Sequence, residues 1–144
     1  LAKNDTSRAR GELLLLSRSS LSSDKEFEEL KLLLGYAFGL PSPRTTRDLK
    51  AGLAAWSEFL QQVPGHKECQ TVRRLIVKSQ VAAKDEESVE ASCRDYLSAH
   101  GDHEYAPQVF AQIIESRVRR GVIGFTDCFE LRHLSWKCHL WKWQ

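Results

Sequence analysis

The chain has 144 residues, 42% of them apolar and 9% aromatic, which is enough to bury one core and points away from a second full domain. Its 21 Lys and Arg face 19 Asp and Glu for a formal charge of +2, so it lacks the strongly basic balance of an electrostatic nucleic-acid binder. No purely apolar run exceeds four residues, as at Leu13 to Leu16, which is far short of the roughly 20 residues that span a bilayer, and no membrane insertion is expected.

Residues 1–22 read as an N-terminal extension with a short helix at Leu13 to Leu16. Lys3, Arg8, Arg10 and Arg18 lie there among several Ser, a composition resembling the flank left near a cleaved organellar transit sequence. That points to an organellar setting. The chain contains no Met, which fits a processed product or an excised fragment.

Residues 23–144 read as a helical array. Ser23 and Glu26 form a capping box, and Phe27, Leu30, Leu34 and Phe38 then share one stripe, ending at Gly39 before Pro41 and Pro43. Thr45 and Asp48 repeat the start signal, and Leu49, Leu53, Trp56, Leu60 and Val63 follow before Pro64 and Gly65 stop the element. A third helix carries Cys69, Val72, Leu75, Ile76 and Ser79; a fourth carries Val89, Cys93, Tyr96 and Leu97 and closes at His100 and Gly101. Pro107 suits the first turn of a fifth, whose expected buried stripe is Phe110, Ile113, Ile114 and Val118, up to Gly121. A last helix is expected from Thr126 through Phe129, Trp136, Leu140 and Trp143. Short turns between six or seven helices predict an all-α array of antiparallel hairpins.

The chemistry of catalysis has no local trace. No phosphate cradle, nucleophile elbow or paired-carboxylate signature occurs, and no cofactor is implied. Cys69, Cys93, Cys128 and Cys138 include no C-x-x-C pair, so reduced, buried thiols are expected. Cys128, His133, Cys138 and His139 are spread around one helical cylinder and do not converge on a metal. The same spacing sets Cys128 and His133 about 140° apart, too far for a nucleophile and base pair. His100 and His103 sit in a Gly and Asp turn and read as a solvated loop pair. The chain is not expected to be an enzyme.

A faint internal repeat is visible, with Val72-Arg73-Arg74-Leu75-Ile76 echoed by Phe110-Ala111-Gln112-Ile113-Ile114 at a spacing of 38 residues. The segment from Phe110 to Gly121, followed by Cys128 to Leu131, resembles a pentatricopeptide repeat: an aromatic, two aliphatics, a Gly at the turn and a second apolar helix. The resemblance covers residues 69–134, and residues 24–64 as a helix pair of suitable length. It implies helical-repeat stacking of the pentatricopeptide or tetratricopeptide kind. In that family small polar residues two positions before the first aliphatic read RNA bases. Here Arg73 and Ala111 stand there, which favours a protein partner over RNA. By architecture and residue character the chain is also similar to the accessory-subunit family that trypanosomes and their relatives attach to the F1 head of mitochondrial ATP synthase. That resemblance implies a non-catalytic subunit in a larger complex, with the F1 α subunit as partner. An organellar RNA-binding repeat protein is the alternative.

Two basic clusters, Arg73, Arg74 and Lys78 against Arg117, Arg119 and Arg120, occupy equivalent halves of the repeat. Stacking would merge them into a partner-binding ridge; the simpler reading is a solvated face balanced by Glu86, Glu87 and Glu90. Trp136 reads as core. Trp141 and Trp143 flank Lys142 and read either as a closing core layer or as an exposed partner anchor.

Overall fold

A computed structural model describes residues 2–16, 24–122 and 130–133. Among them the chain is all-α: α1 (Ala2–Leu16), α2 (Asp24–Ala37), α3 (Thr46–Gln62), α4 (Cys69–Ala83), α5 (Glu86–His100), α6 (Ala106–Arg120) and a helical segment at 130–133. They form two compact units, Leu1–Ala83 and Lys84–Gln144. The capping box at Ser23, the start of the last helix, and Trp136, Leu140, Trp141 and Trp143 lie outside the described residues.

The first unit packs α1 on α2, α2 on α3 and α3 on α4. Where only Leu13 to Leu16 was expected to be helical, α1 runs from Ala2. Leu13 packs on the buried Leu30, Leu34 and Ala55, while Arg10, one turn earlier, adds a polar anchor. Its Nε and Nη2 donate to the Ala37 carbonyl at 3.3 and 3.1 Å, and its Nη1 donates to Asp48 Oδ1 at 2.7 Å. The guanidinium also lies 4.7 Å from the Phe38 ring centroid.

The α2 and α3 helices run antiparallel, since Lys31 pairs with Glu58 and Gly52 faces Leu40 and Phe38. Gly35 is buried because the Trp56 indole occupies the space a Cβ would need. The fully buried Trp56 donates from Nε1 to the Leu32 carbonyl at 3.1 Å, and Tyr36 meets it edge-on at 5.2 Å. Thr45 caps α3, its hydroxyl accepting from the Asp48 amide at 3.0 Å. Beyond Trp56 the core continues through Phe59, Cys69, Val72 and Ile76 into α4. Cys69 Sγ donates to the Val63 carbonyl at 3.0 Å.

The second unit is the α5 and α6 hairpin with residues 130–133 against it. The α5 helix buries Val89, Cys93, Tyr96 and Leu97. The buried face of α6 is Ala106, Val109, Ile113, Ser116 and Arg117, roughly a quarter turn from the expected stripe. Phe110 is half-buried, while Ile114 and Val118 are 37% and 60% exposed. Gly121 ends the helix in the left-handed conformation at φ 67°, its amide donating to the Arg117 and Val118 carbonyls.

Burial also sets the register of the internal repeat, at 37 positions and not 38. Cys69, Val72, Ile76, Ser79 and Gln80 are buried on α4, and Ala106, Val109, Ile113, Ser116 and Arg117 are their counterparts on α6. On α3 and α5 the counterparts are Gly52 with Val89, Trp56 with Cys93 and Phe59 with Tyr96, all buried. The connecting turns match as well. The His66 amide donates to the Val63 carbonyl at 3.0 Å, and the His103 amide to the His100 carbonyl at 3.1 Å. His66 Nδ1 then accepts from the Glu68 amide at 3.2 Å, and His103 Nδ1 from the Tyr105 amide at 3.4 Å. One helical hairpin therefore occurs twice, once in each unit.

Candidate functional site

The repeat draws attention to positions where the two copies differ. Val77 on α4 is 3% exposed, whereas its counterpart Ile114 lies on an open face of α6 with Val118. Val122, just past Gly121, is also exposed. Ile114 and Val118 are one helical turn apart and share a side of α6, so an apolar strip runs along the second unit.

Beside that strip lies a network of charges. Gln80 in the first copy is replaced by Arg117 in the second, whose side chain is 7% exposed. A buried guanidinium needs a counter-charge, and Glu90 on α5 supplies it. Arg117 Nε donates to Glu90 Oε2 at 3.2 Å and Nη2 to Oε1 at 2.6 Å. Arg94, one turn along α5, donates to the same Oε1 from Nε at 3.2 Å and Nη2 at 2.9 Å; Arg120 donates to Oε2 at 2.6 Å. Three guanidiniums thus converge on one carboxylate. The hydrogen bond from Arg117, opposed by burial and reinforced by those from Arg94 and Arg120, holds the Glu90 carboxyl down at about 2.

Arg94 and Arg117 each point one nitrogen at Glu130, on the helical segment 130–133. Arg94 Nη2 reaches Oε1 at 2.5 Å and Arg117 Nη2 reaches Oε2 at 3.1 Å. The half-exposed Glu130 carboxyl is lowered, chiefly by the hydrogen bonds from Arg117 and Arg94. Further out, Arg119 forms a forked pair with Glu86 at 2.7 and 3.2 Å.

The predicted cluster Arg117, Arg119 and Arg120 is therefore paired internally with Glu86, Glu90 and Glu130. Arg73 and Arg74 are half-buried on α4, in the other unit. Trp141 and Trp143 lie outside the described residues. Arg94 and Glu130 were not singled out in the sequence, because their meeting depends on three separate segments. Aligning the copies at 37 positions would have flagged Arg117, as a charge standing where the first copy buries Gln80.

Other candidate chemistry is quiet. Burial, followed by the negative charge of Glu90, pushes the Cys93 thiol up to about 12, which leaves it protonated and unreactive. The expected solvated pair His100 and His103 is half-buried, with His103 Nδ1 lying 3.4 Å from the Tyr96 hydroxyl. No group of metal-ligating side chains occurs among the described residues, and no helix there is long and apolar enough to cross a membrane. A cleft of about 390 Å³ in the first unit is lined by Leu32 and Phe59 together with His66 and charged side chains of both signs.

No family model matches the chain, and searches of curated proteins and of solved structures return no significant match.

Proposed function

We propose that the chain is a non-catalytic protein-docking subunit of a larger mitochondrial assembly, seated on the outside of the F1 head of ATP synthase against an α subunit. The observation that carries the docking part is the second unit's surface. Arg94, Arg117, Arg119 and Arg120 are paired with carboxylates, while Ile114, Val118 and Val122 are exposed beside them. A polyanion gains little from cations already neutralised. Exposed aliphatics next to oriented charges are what a protein interface uses, apolar burial for affinity and charge for orientation. The mitochondrial setting and the F1 partner rest on the basic N-terminal composition and the accessory-subunit resemblance.

Affinity purification of the tagged full chain from mitochondria, with identification of stoichiometric partners, tests the reading. Co-purification with the F1 α subunit supports it. Recovery of RNA with no stoichiometric protein overturns it in favour of the RNA-binding alternative.

A further inference from the structure

The turn into the second helix of each hairpin is headed by a histidine whose imidazole takes the place of a capping side chain. Ahead of α4, the His66 carbonyl accepts from the Cys69 amide at 3.0 Å and His66 Nδ1 accepts from the Glu68 amide at 3.2 Å. Ahead of α6, the His103 carbonyl accepts from the Ala106 amide at 2.8 Å and His103 Nδ1 accepts from the Tyr105 amide at 3.4 Å. The two histidines hold the same place in the repeat. The first helices of the hairpins are capped conventionally, α3 by Thr45 and α5 by Asp85. An imidazole differs from these in one respect, since Nδ1 accepts only while it carries no proton.

Each ring is seated against its own hairpin. His66 meets the buried Phe59 ring of α3 edge-on at 5.2 Å. His103 stacks on Tyr105 at 5.5 Å, with Nδ1 3.4 Å from the Tyr96 hydroxyl of α5. The charged groups around His66 are Lys67 and Glu68 in its own turn and, lining the same cleft, Lys25, Glu28 and Glu29 of α2. Around His103 stand Asp102 and Glu104 on either side in the chain, with His100 at the end of α5, its ring 5.5 Å from that of Tyr96. Ordinary carboxylates and lysines keep their charge between about pH 7.5 and 5.5, so over that span imidazoles are the groups that change. The carboxylates give an imidazolium a countercharge once it forms, so the proton is accommodated by giving up the cap.

We infer that His66 and His103 form a duplicated pH-sensitive latch: on acidification through the imidazole range each releases the amide two residues ahead, and the entry turns of α4 and α6 loosen. Protonation also sets a positive charge at the helix N-terminus, the end where the macrodipole disfavours it. The latch does not depend on which partner the chain docks.

Amide proton exchange of the full chain, followed by NMR at about pH 7.5 and 5.5 and corrected for the intrinsic pH dependence of exchange, reads the latch at the Glu68 and Tyr105 amides. Both lose protection about fivefold on acidification, the effect of removing a cap. His66→Asn supplies an acceptor that does not titrate, so it holds the Glu68 amide at both pH values while the Tyr105 amide still loses protection; His103→Asn gives the converse. His66→Phe lacks the acceptor and leaves the Glu68 amide unprotected at both. Where exchange is too fast to follow, the amide proton shifts report the same event, moving upfield on acidification in the parent and staying in place in the Asn variants. The double Asn variant retains His100, His133 and His139, so a response of the two amides that survives in it comes from another group and overturns the latch. Amides that keep both their protection and their shifts on acidification of the parent overturn it as well.

Discussion

Replacing Glu90 by Gln removes the one carboxylate on which Arg94, Arg117 and Arg120 converge. The magnitude follows from its proton affinity. A carboxyl whose ordinary value is 4.5 but which is held at about 2 in the fold favours the folded state by about 3 kcal/mol when ionised, at 1.36 kcal/mol per pH unit. The sign is that of a depressed carboxylate: the contribution is complete above about pH 5 and is lost as the pH falls through 4.5 towards 2. At pH 7, Glu90→Gln is therefore expected to cost about 3 kcal/mol, the lower end of the range for breaking a buried pair. The lower end applies because Arg94 and Arg120 are 35% and 30% exposed. Urea unfolding of both proteins, with hydrogen exchange of the peptides covering α5 and α6, measures the loss. Glu90→Gln should also flatten the fall in stability between pH 5 and 3. Equal urea midpoints at pH 7, or an acid limb in the variant as steep as in the parent, would refute the reasoning.

Gly35→Ala places a methyl inside the Trp56 indole, and with Trp56 fully buried the overlap should cost about 3 kcal/mol. A thermal midpoint within a degree or two of the parent would count against that packing. Thr45→Ala removes the cap to the Asp48 amide and should lower the unfolding free energy by about 1 kcal/mol, read from urea midpoints at constant slope. Cys93 should resist a disulfide reagent at pH 8 in the native chain and react once the chain is unfolded; rapid native labelling, located by peptide mapping, would contradict its burial and raised thiol.

Helix ends written in local chemistry are legible in the sequence. Thr45 caps α3, Pro107 lies in the first turn of α6, and Gly121 adopts the left-handed stop. The full length of α1 is not legible, because its first two turns carry no apolar stripe and its docking depends on Arg10 meeting Ala37 and Asp48 far along the chain. The buried face of α6 is misread for a related reason. Ser116 and Arg117 look like surface residues until Ser116 donates to the Glu86 carbonyl and Arg117 meets Glu90 and Glu130. Periodicity ranks residues by intrinsic polarity, and a partner from another segment can reverse that ranking. The repeat register slips by one position because Ile113 and Ile114 are adjacent aliphatics, and only burial says which of them corresponds to Ile76.

The Arg10 side chain spans the turn between α2 and α3, bonded on one flank to the last carbonyl of α2 and on the other to an acid in the first turn of α3. A planar guanidinium can serve both at once, whereas the single ammonium of a lysine offers no such fork. The angle at which α2 hands over to α3 is consequently shared with the position of α1. A distortion of the 38–45 turn loosens the N-terminal helix, and pulling that helix away slackens the turn, so tension applied to α1 reaches the α2 and α3 corner through Arg10 as well as through the packing of Leu13.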